Sequence, residues 1–367
     1  MKRKGFIQIS LLFILAFVLL AAACQNRSIN LEIKDEVAQY LRAQSDSMTL
    51  ASLEKVDGYP MYVMAYYGDY GFSDYLETGI SRAASLDASY RHSNNGLMCT
   101  CFAAIAVKDS CIFGRSFGWS NPSPLLFLFT HPPDGYASVS MVYLGNFGYN
   151  ENNLPDSKDN RENLLGAPYV PYDGLNEMGV AIGMMAVPEA KAPFDPAKVT
   201  IGEIQLIRLV LDYAKDLNEA IALIQDYNIE MQTPPIHFLI ADASGHSAVV
   251  EFVGGKMVVI RNNEPWQVST NFIIQGTRAP EFVSCVRYNR AYQSLKNKGG
   301  KISKEYAMGV LNQVQQDITR WSTVYCMNTG EISIAVGNKY DVVRKFNLKM
   351  NGMPELHQIL FLNPIDS

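Results

Sequence analysis

Met98-Cys99-Thr100-Cys101 opens a run of small apolar residues that continues to Val107, and Cys111-Ile112-Phe113-Gly114-Arg115-Ser116-Phe117-Gly118-Trp119 follows the polar triplet Lys108-Asp109-Ser110. Both runs are strand-like and the triplet between them is turn chemistry, so the stretch predicts a β-hairpin. Cys99 stands at the start of one strand, and Arg115 lies on its partner, sixteen residues further on. Ser93-Asn94-Asn95-Gly96 predicts a further turn immediately before Cys99.

A thiol attacks a carbonyl as the thiolate, and a free pKa of about 8.5 leaves little thiolate at neutral pH. Some group must take the proton or stabilise the anion. None of the five histidines (His92, His131, His237, His246, His357) sits in a local signature of a papain-like pair. The other solution is the α-amine of the cysteine itself, whose pKa of about 8 suits general-base work. That solution requires the Met98–Cys99 bond to be cut.

Outward from the hairpin, the first 24 residues read as a targeting segment. Lys2, Arg3 and Lys4 form a basic start, Ile9 to Ala23 is almost wholly apolar, and Ala21-Ala22-Ala23 leads into Cys24. The apolar run falls short of the roughly 20 residues of a comfortable membrane span. The pattern resembles a bacterial lipoprotein signal, which implies lipidation of Cys24 and an extracytoplasmic, membrane-tethered protein. Simple secretion is the runner-up. A net charge of −5 with no basic stripe argues against a nucleic-acid partner. No CxxC or His-rich spacing suggests a metal site. Beyond Cys24 the chain has five cysteines, an odd number that leaves at least one thiol unpaired. Cys101 and Cys111 read as packing residues, with a disulfide across the hairpin as the alternative.

Along the rest of the chain, strands are expected at Tyr59–Tyr70, Tyr136–Leu144 and Gly179–Ala186. A meander is expected over Ile236–Ala241, Ser247–Phe252 and Met257–Arg261, with closing strands near Ser322–Tyr325, Ile332–Val336 and Val342–Lys345. Helical patterns cover Arg27–Leu53, Phe72–Arg91, Ile201–Tyr213, Leu217–Asp226, Arg287–Lys296 and Tyr306–Gln315. Strands come in runs with helices between the runs, which favours an α+β architecture.

From about Ser52 onward the chain resembles the choloylglycine hydrolase and acid ceramidase-like linear amide C–N hydrolases. It is most similar to members with an internal nucleophile, such as the acyl-CoA:6-aminopenicillanic acid acyltransferase-like proteins. The resemblance rests on Cys99-Thr100, Gly114-Arg115-Ser116-Phe117-Gly118-Trp119, Asp173-Gly174-Leu175-Asn176-Glu177-Met178-Gly179-Val180-Ala181, Thr270-Asn271, Val286-Arg287-Tyr288-Asn289-Arg290 and Trp321-Ser322-Thr323-Val324-Tyr325, in that order. It implies a four-layer αββα N-terminal-nucleophile sandwich. It further implies that residues 25–98 are a tether and propeptide-like segment packing on the main domain, and that residues 99–367 are an amidase domain with Cys99 as its new N-terminus. The implied roles are Cys99 as nucleophile, its α-amine as proton shuttle, Asn271 as oxyanion donor, Arg115 as thiolate stabiliser and Arg287 as a member of the same network. No cofactor or metal is implied, and the partner is a small-molecule N-acyl amide, with water or an amine as acyl acceptor.

Two positions depart from the pattern. Gly118 stands where the family carries an aspartate that orients the nucleophile's amine, which leads to the expectation that Gly118→Asp raises activity. Ala186 stands where bile salt hydrolases carry an asparagine and penicillin V acylases a tyrosine. Gly118 also keeps a second class open: a cell-surface binding protein that retains the fold without turnover.

Overall fold

The computed structural model describes residues 38–81, 96–156, 160–232, 234–277 and 284–351. The signal-like segment with Cys24 and the Ser93–Asn95 turn lie outside these residues. The chain divides into residues 1–48 and a compact unit, Thr49–Ser367. Residues 38–51 are helical.

The compact unit begins with β1 (Glu54–Asp57), β2 (Met61–Ala65) and the short helix α1 (Phe72–Thr78). The predicted hairpin follows as β3 (Met98–Ala104) and β4 (Ile112–Gly118), and then come β5 (Leu125–Thr130), β6 (Ser138–Tyr143), β7 (Pro171–Asn176) and β8 (Ala181–Ala186). Next are β9 (Thr200–Gly202), α2 (Gln205–Tyr213), α3 (Leu217–Gln225) and β10 (Asn228–Glu230). The meander is β11 (Ile236–Ala241), β12 (Ser247–Val253) and β13 (Lys256–Arg261), followed by β14 (Trp266–Ser269). Helices α4 (Val286–Asn297) and α5 (Lys304–Gln313) precede the closing strands β15 (Thr319–Cys326), β16 (Glu331–Val336) and β17 (Val343–Asn347).

The strands form a nine-stranded sheet in the order β1-β2-β5-β6-β7-β8-β11-β12-β13 and a six-stranded sheet in the order β14-β3-β4-β15-β16-β17. All pairs within them are antiparallel except β2 with β5. Side-chain alternation along β3 explains how the sheets stack. Cys99, Cys101 and Ala103 point into the core between the sheets, together with Phe113 and Phe117 of β4. Phe102 and Ala104 point the other way, into a second core with Tyr288, Leu295, Val310 and Leu311 of α4 and α5. On the far side α2 and α3 cover the nine-stranded sheet through residues such as Leu211 and Ala220. The result is the four-layer αββα sandwich expected.

Several expectations shift in detail. Ile201-Gly202, expected to begin a helix, instead lies in β9, which pairs in parallel with β10. The β-branched Thr200 and Ile201 favour that extended pairing, the glycine disfavours a helix, and α2 starts at Gln205. Strands β5, β7 and β14 were absent from the sequence-based expectations. The β5 run Leu125-Leu126-Phe127-Leu128-Phe129 is apolar on both faces and so has no alternation to read. In β7, Pro171, Asp173, Gly174 and Asn176 have turn composition. The strand forms because each has a local reason to be there. A Cβ on Gly174 would lie 2.4 Å from the Val139 carbonyl oxygen and 2.7 Å from Leu211 of α2, so only glycine lets the helix settle on the sheet.

Glu203, between β9 and α2, is fully buried and one of its carboxyl oxygens has no hydrogen-bond partner among the described residues. Burial pushes this carboxyl up to about 8, with the Gln232 amide pulling against it and the Glu230 charge adding to it. The protonated form is therefore favoured by the fold. Its stabilising contribution is full below the unfolded pKa and is lost as pH rises through about 8. A Glu203→Gln variant has no proton to lose. Its stability advantage over the wild type is expected to grow from about pH 5 to pH 8, by at most about 1.4 kcal/mol per pH unit. Urea midpoints of both proteins across that range measure it, and parallel curves would contradict the assignment.

Candidate active site

Residues on β3 and β4 meet in a register that fixes the site: Met98 opposes Gly118, Cys99 opposes Phe117, Thr100 opposes Ser116 and Cys101 opposes Arg115. Cys99 and Arg115 therefore share the face between the sheets, and both are fully buried. The Arg115 guanidinium lies over the Phe117 ring, 5.1 Å from its centroid, and that ring stacks on Trp321 at 4.1 Å. Arg115 Nε faces Asp173 Oδ2 at 3.4 Å, and Nη1 donates to the Ser116 carbonyl. Nη2 meets no hydrogen-bond partner among the described residues, and the guanidinium acts electrostatically on the Cys99 and Cys101 side chains beside it.

Burial pushes the Cys101 thiol up to about 12, although Arg115 pulls it down. Cys101 is thus a protonated packing residue. Burial would lower the Arg115 pKa, but the Cys99 and Cys101 sulfurs and the Asp173 carboxylate outweigh it and hold the guanidinium above its ordinary value. Cys101 and Cys111 are both free thiols, so no disulfide crosses the hairpin. The register explains this: Cys101 opposes Arg115, whereas Ile112, the neighbour of Cys111, opposes Ala104.

Asn271 and Arg287 arrive from elements remote in sequence. Asn271 follows β14, which pairs with β3 through Ser269 and Cys101. Its Oδ1 accepts the Cys99 N–H at 2.7 Å and Arg287 Nη2 at 2.9 Å, while its Nδ2 donates to the Ala186 carbonyl at 2.8 Å. Two donors on one atom and an acceptor on the other leave one consistent amide orientation. Arg287, in the first turn of α4, also donates from Nη1 to the Cys99 carbonyl and, at 3.2 Å, to Thr100 Oγ1. The four residues singled out from the sequence, Cys99, Arg115, Asn271 and Arg287, are thus in one place. One proton of the Asn271 Nδ2 is engaged by Ala186, which leaves the second as the donor available to an oxyanion.

Gly118 proves to be a spatial matter as well as a missing charge. A Cβ at 118 would lie 2.7 Å from the Met98 carbonyl oxygen and 3.4 Å from that of Ile318. While Met98 is joined to Cys99, no side chain fits there, and a carboxylate would face two carbonyl oxygens. The expectation that aspartate at this position raises activity does not take this space into account: with Met98 joined to Cys99, Gly118 makes room for the carbonyl of that bond.

Asp173 is the site residue that sequence reasoning passed over, although it begins the Asp-Gly-x-Asn-Glu segment. It accepts from Tyr325 Oη at 2.5 Å, Trp321 Nε1 at 2.9 Å and Arg115 Nε at 3.4 Å. Burial raises its carboxyl pKa against the pull of Arg115, Tyr325 and Trp321. The usable signal is the joint presence of Arg115, Trp321 and Tyr325, three donors that need a shared acceptor once the sheets bury them. Asn176 is a turn residue, as its composition suggests: its side chain bonds the Leu211 and Ala214 carbonyls and the Met178 and Val180 amides.

Comparison with known proteins agrees with this geometry. The model of the linear amide C–N hydrolases, choloylglycine hydrolase family, matches residues 99–305, so the match opens at Cys99. Penicillin V acylase of Pectobacterium atrosepticum is 25% identical over 207 residues, which are 52% of this chain and 53% of that protein. The chain thus spans about half the length of that curated relative. The solved structure of penicillin V acylase from Agrobacterium tumefaciens superposes with a TM-score of 0.52 at 20% identity, covering 68% of this chain and 86% of that one, a likeness of fold. With the family model covering more than half of its residues, from the cysteine onward, the chain belongs to the choloylglycine hydrolase family of linear amide C–N hydrolases.

Proposed function

We propose that this protein is an exported cysteine amidase that cuts itself before Cys99 and then hydrolyses a linear N-acyl amide. The observation that carries the reading is the triple hold on Cys99: its N–H on Asn271 Oδ1, its carbonyl on Arg287 and its side chain beside Arg115. In the uncut chain Cys99 Sγ attacks the Met98 carbonyl carbon. The C–N bond breaks, the nitrogen takes the thiol proton, and water hydrolyses the resulting thioester. This leaves a free α-amine at Cys99 and a carboxylate at Met98. Residues 25–98 are then a propeptide, and lipidation at Cys24 tethers the protein outside the cytoplasm.

The freed site runs the same chemistry on a substrate. The α-amine, its lone pair set by Asn271 Oδ1, accepts the thiol proton as Sγ bonds the acyl carbon. Arg115 lowers the cost of negative charge on sulfur, and the unengaged Asn271 Nδ2 proton donates to the tetrahedral oxyanion. As the C–N bond breaks, the ammonium returns the proton to the departing amine. Water then attacks the thioester, its proton goes to the amine, and the thiol is restored. An amine in place of water would give acyl transfer. Ala186 at the mouth of β8 offers neither an amide nor a phenol side chain to the substrate, so specificity is set elsewhere than in penicillin V acylases or bile salt hydrolases.

Gly118 favours one other reading, a binding protein without turnover. Intact mass decides between them. Wild-type protein is expected to yield a chain beginning at Cys99, and Cys99→Ala is expected to stay whole and to hydrolyse none of a panel of N-acyl amino acids, N-acylethanolamines, conjugated bile salts and penicillin V. A wild-type chain that stays whole, with Cys99 inert to alkylation, would sink the enzyme reading.

Gly118→Asp is expected to slow self-cleavage at least about tenfold, since it displaces the scissile carbonyl. Cleavage at the wild-type rate, timed by electrophoresis after refolding, would show the carbonyl free to move. Asp173→Asn strands the Arg115 charge in the core and is expected to cost about 3–5 kcal/mol in urea unfolding, with loss of activity.

A further inference from the structure

Beneath Asn271 lies a buried, hydrogen-bonded histidine–glutamate pair that the proposed mechanism does not use. His237 of β11 and Glu251 of β12 are fully buried, with His237 Nδ1 2.9 Å from Glu251 Oε1. His237 Nε2 faces the Thr270 carbonyl at 2.7 Å and Ser269 Oγ at 3.2 Å. A carbonyl only accepts, so Nε2 carries the proton that it donates to Thr270, while Nδ1 bonds the Glu251 carboxyl. Glu251 spends its remaining capacity on two backbone amides, Ile274 N–H at 2.7 Å and Gln275 N–H at 2.9 Å. Burial alone would raise the Glu251 carboxyl. The bonds from His237, Ile274 and Gln275 outweigh it and bring the group below its ordinary value.

The contacts bracket one short segment. His237 holds the carbonyl just before Asn271, and Glu251 holds the amides three and four residues after it. The same segment is tied to the active-site helix, because Thr270 Oγ1 donates to Cys285 Sγ at the N-cap of α4. His237 also sits one position along β11 from Ile236, which opposes Ala186, the acceptor of the Asn271 amide. Elements of the nine-stranded sheet thereby fix a residue that acts on a nucleophile in the six-stranded one.

We propose that His237 and Glu251 form a hydrogen-bonded clamp that positions Asn271 on Cys99, a pair of positioning residues for both self-cleavage and turnover. This rests on the amidase reading above. The Glu251 carboxylate suits the task because its hydrogen bonds to the Ile274 and Gln275 amides are charge-assisted and stronger than neutral ones. An apolar pair of equal size would fill the space and leave the segment free to shift. A displacement of about 1 Å at such a site costs about a hundredfold in rate.

The test compares His237→Ala, His237→Gln and Glu251→Gln with the wild type in the full-length protein. The clamp predicts that His237→Ala and Glu251→Gln lower kcat about ten- to hundredfold with KM changed less than about twofold, and slow self-cleavage in proportion. His237→Gln, which still offers a donor to the Thr270 carbonyl, recovers part of the loss. Independently of any substrate, amide hydrogen exchange over 271–275 accelerates in His237→Ala and Glu251→Gln while the amides of α2 keep their wild-type rates. Exchange that stays at wild-type rates over 271–275 overturns the proposal, as does a glutamine variant no better than alanine. Should His237→Ala fail to fold, His237→Gln and Glu251→Gln carry the same comparison. A wild type that neither cleaves nor turns over any amide would defeat the amidase reading instead, and the exchange result would still decide the clamp.

Discussion

The buried contact between Arg115 and Asp173 is the constraint around which the sandwich closes. Arg115 belongs to the six-stranded sheet and Asp173 to the nine-stranded one, and neither side chain reaches solvent. A guanidinium in such a place is costly unless it is paired and hydrogen-bonded. The pairing is shared out: Tyr325 and Trp321 from β15 complete the shell of Asp173, and Phe117 offers its ring face to the cation. The demand for a second sheet at this distance, with these donors, comes from the charge itself. Gly183 of β8 shows how close the approach is, since a Cβ there would lie 2.8 Å from Cys101 Sγ and 3.3 Å from Arg115 Cδ.

The same charge acts on two cysteines, of which one is the nucleophile in the proposed chemistry. Cys99 and Cys101 lie on the same face of β3 and share the field of Arg115. Field alone would not choose between them. The strand end does, because Cys99 has its N–H on Asn271 and its carbonyl on Arg287, whereas Cys101 opposes Arg115 within the sheet. The proposed nucleophile is singled out by where the strand starts and by what holds that start.

This division shows in what the sequence made legible. The β3–β4 hairpin could be read because alternation and turn residues both report on local geometry, and the meander and α3 for the same reason. Cys99, Arg115, Asn271 and Arg287 could be named through motif order, although their meeting depends on β14 pairing with β3 and on the placement of α4. Asp173 was missed because a carboxylate inside a strand reads as a turn residue until its three donors are known. The His237–Glu251 pair was missed for a related reason: its meaning lies in the backbone groups of 270–275, which leave no mark on residue type. Gly118 was read as a lost charge, and the space it leaves for the Met98 carbonyl is a property of the register between two strands.

With Gly118 carrying no carboxylate, the side-chain acceptor at the Cys99 nitrogen is an amide carbonyl, which has a consequence for the proposed mechanism. A carboxylate at position 118 would favour the ammonium form of a freed amine and so remove the lone pair that general-base chemistry requires. In this chain the acceptor is Asn271 Oδ1, which carries no net charge, and Arg287 donates to that same oxygen. A neutral acceptor shared with a guanidinium favours the neutral amine instead. The orientation that the family aspartate would supply is then a matter of position alone. Position is what the ties from Ala186, Arg287 and the His237–Glu251 pair give to Asn271. Loss of the aspartate and the presence of a rigidly held asparagine are, on this argument, two sides of one arrangement.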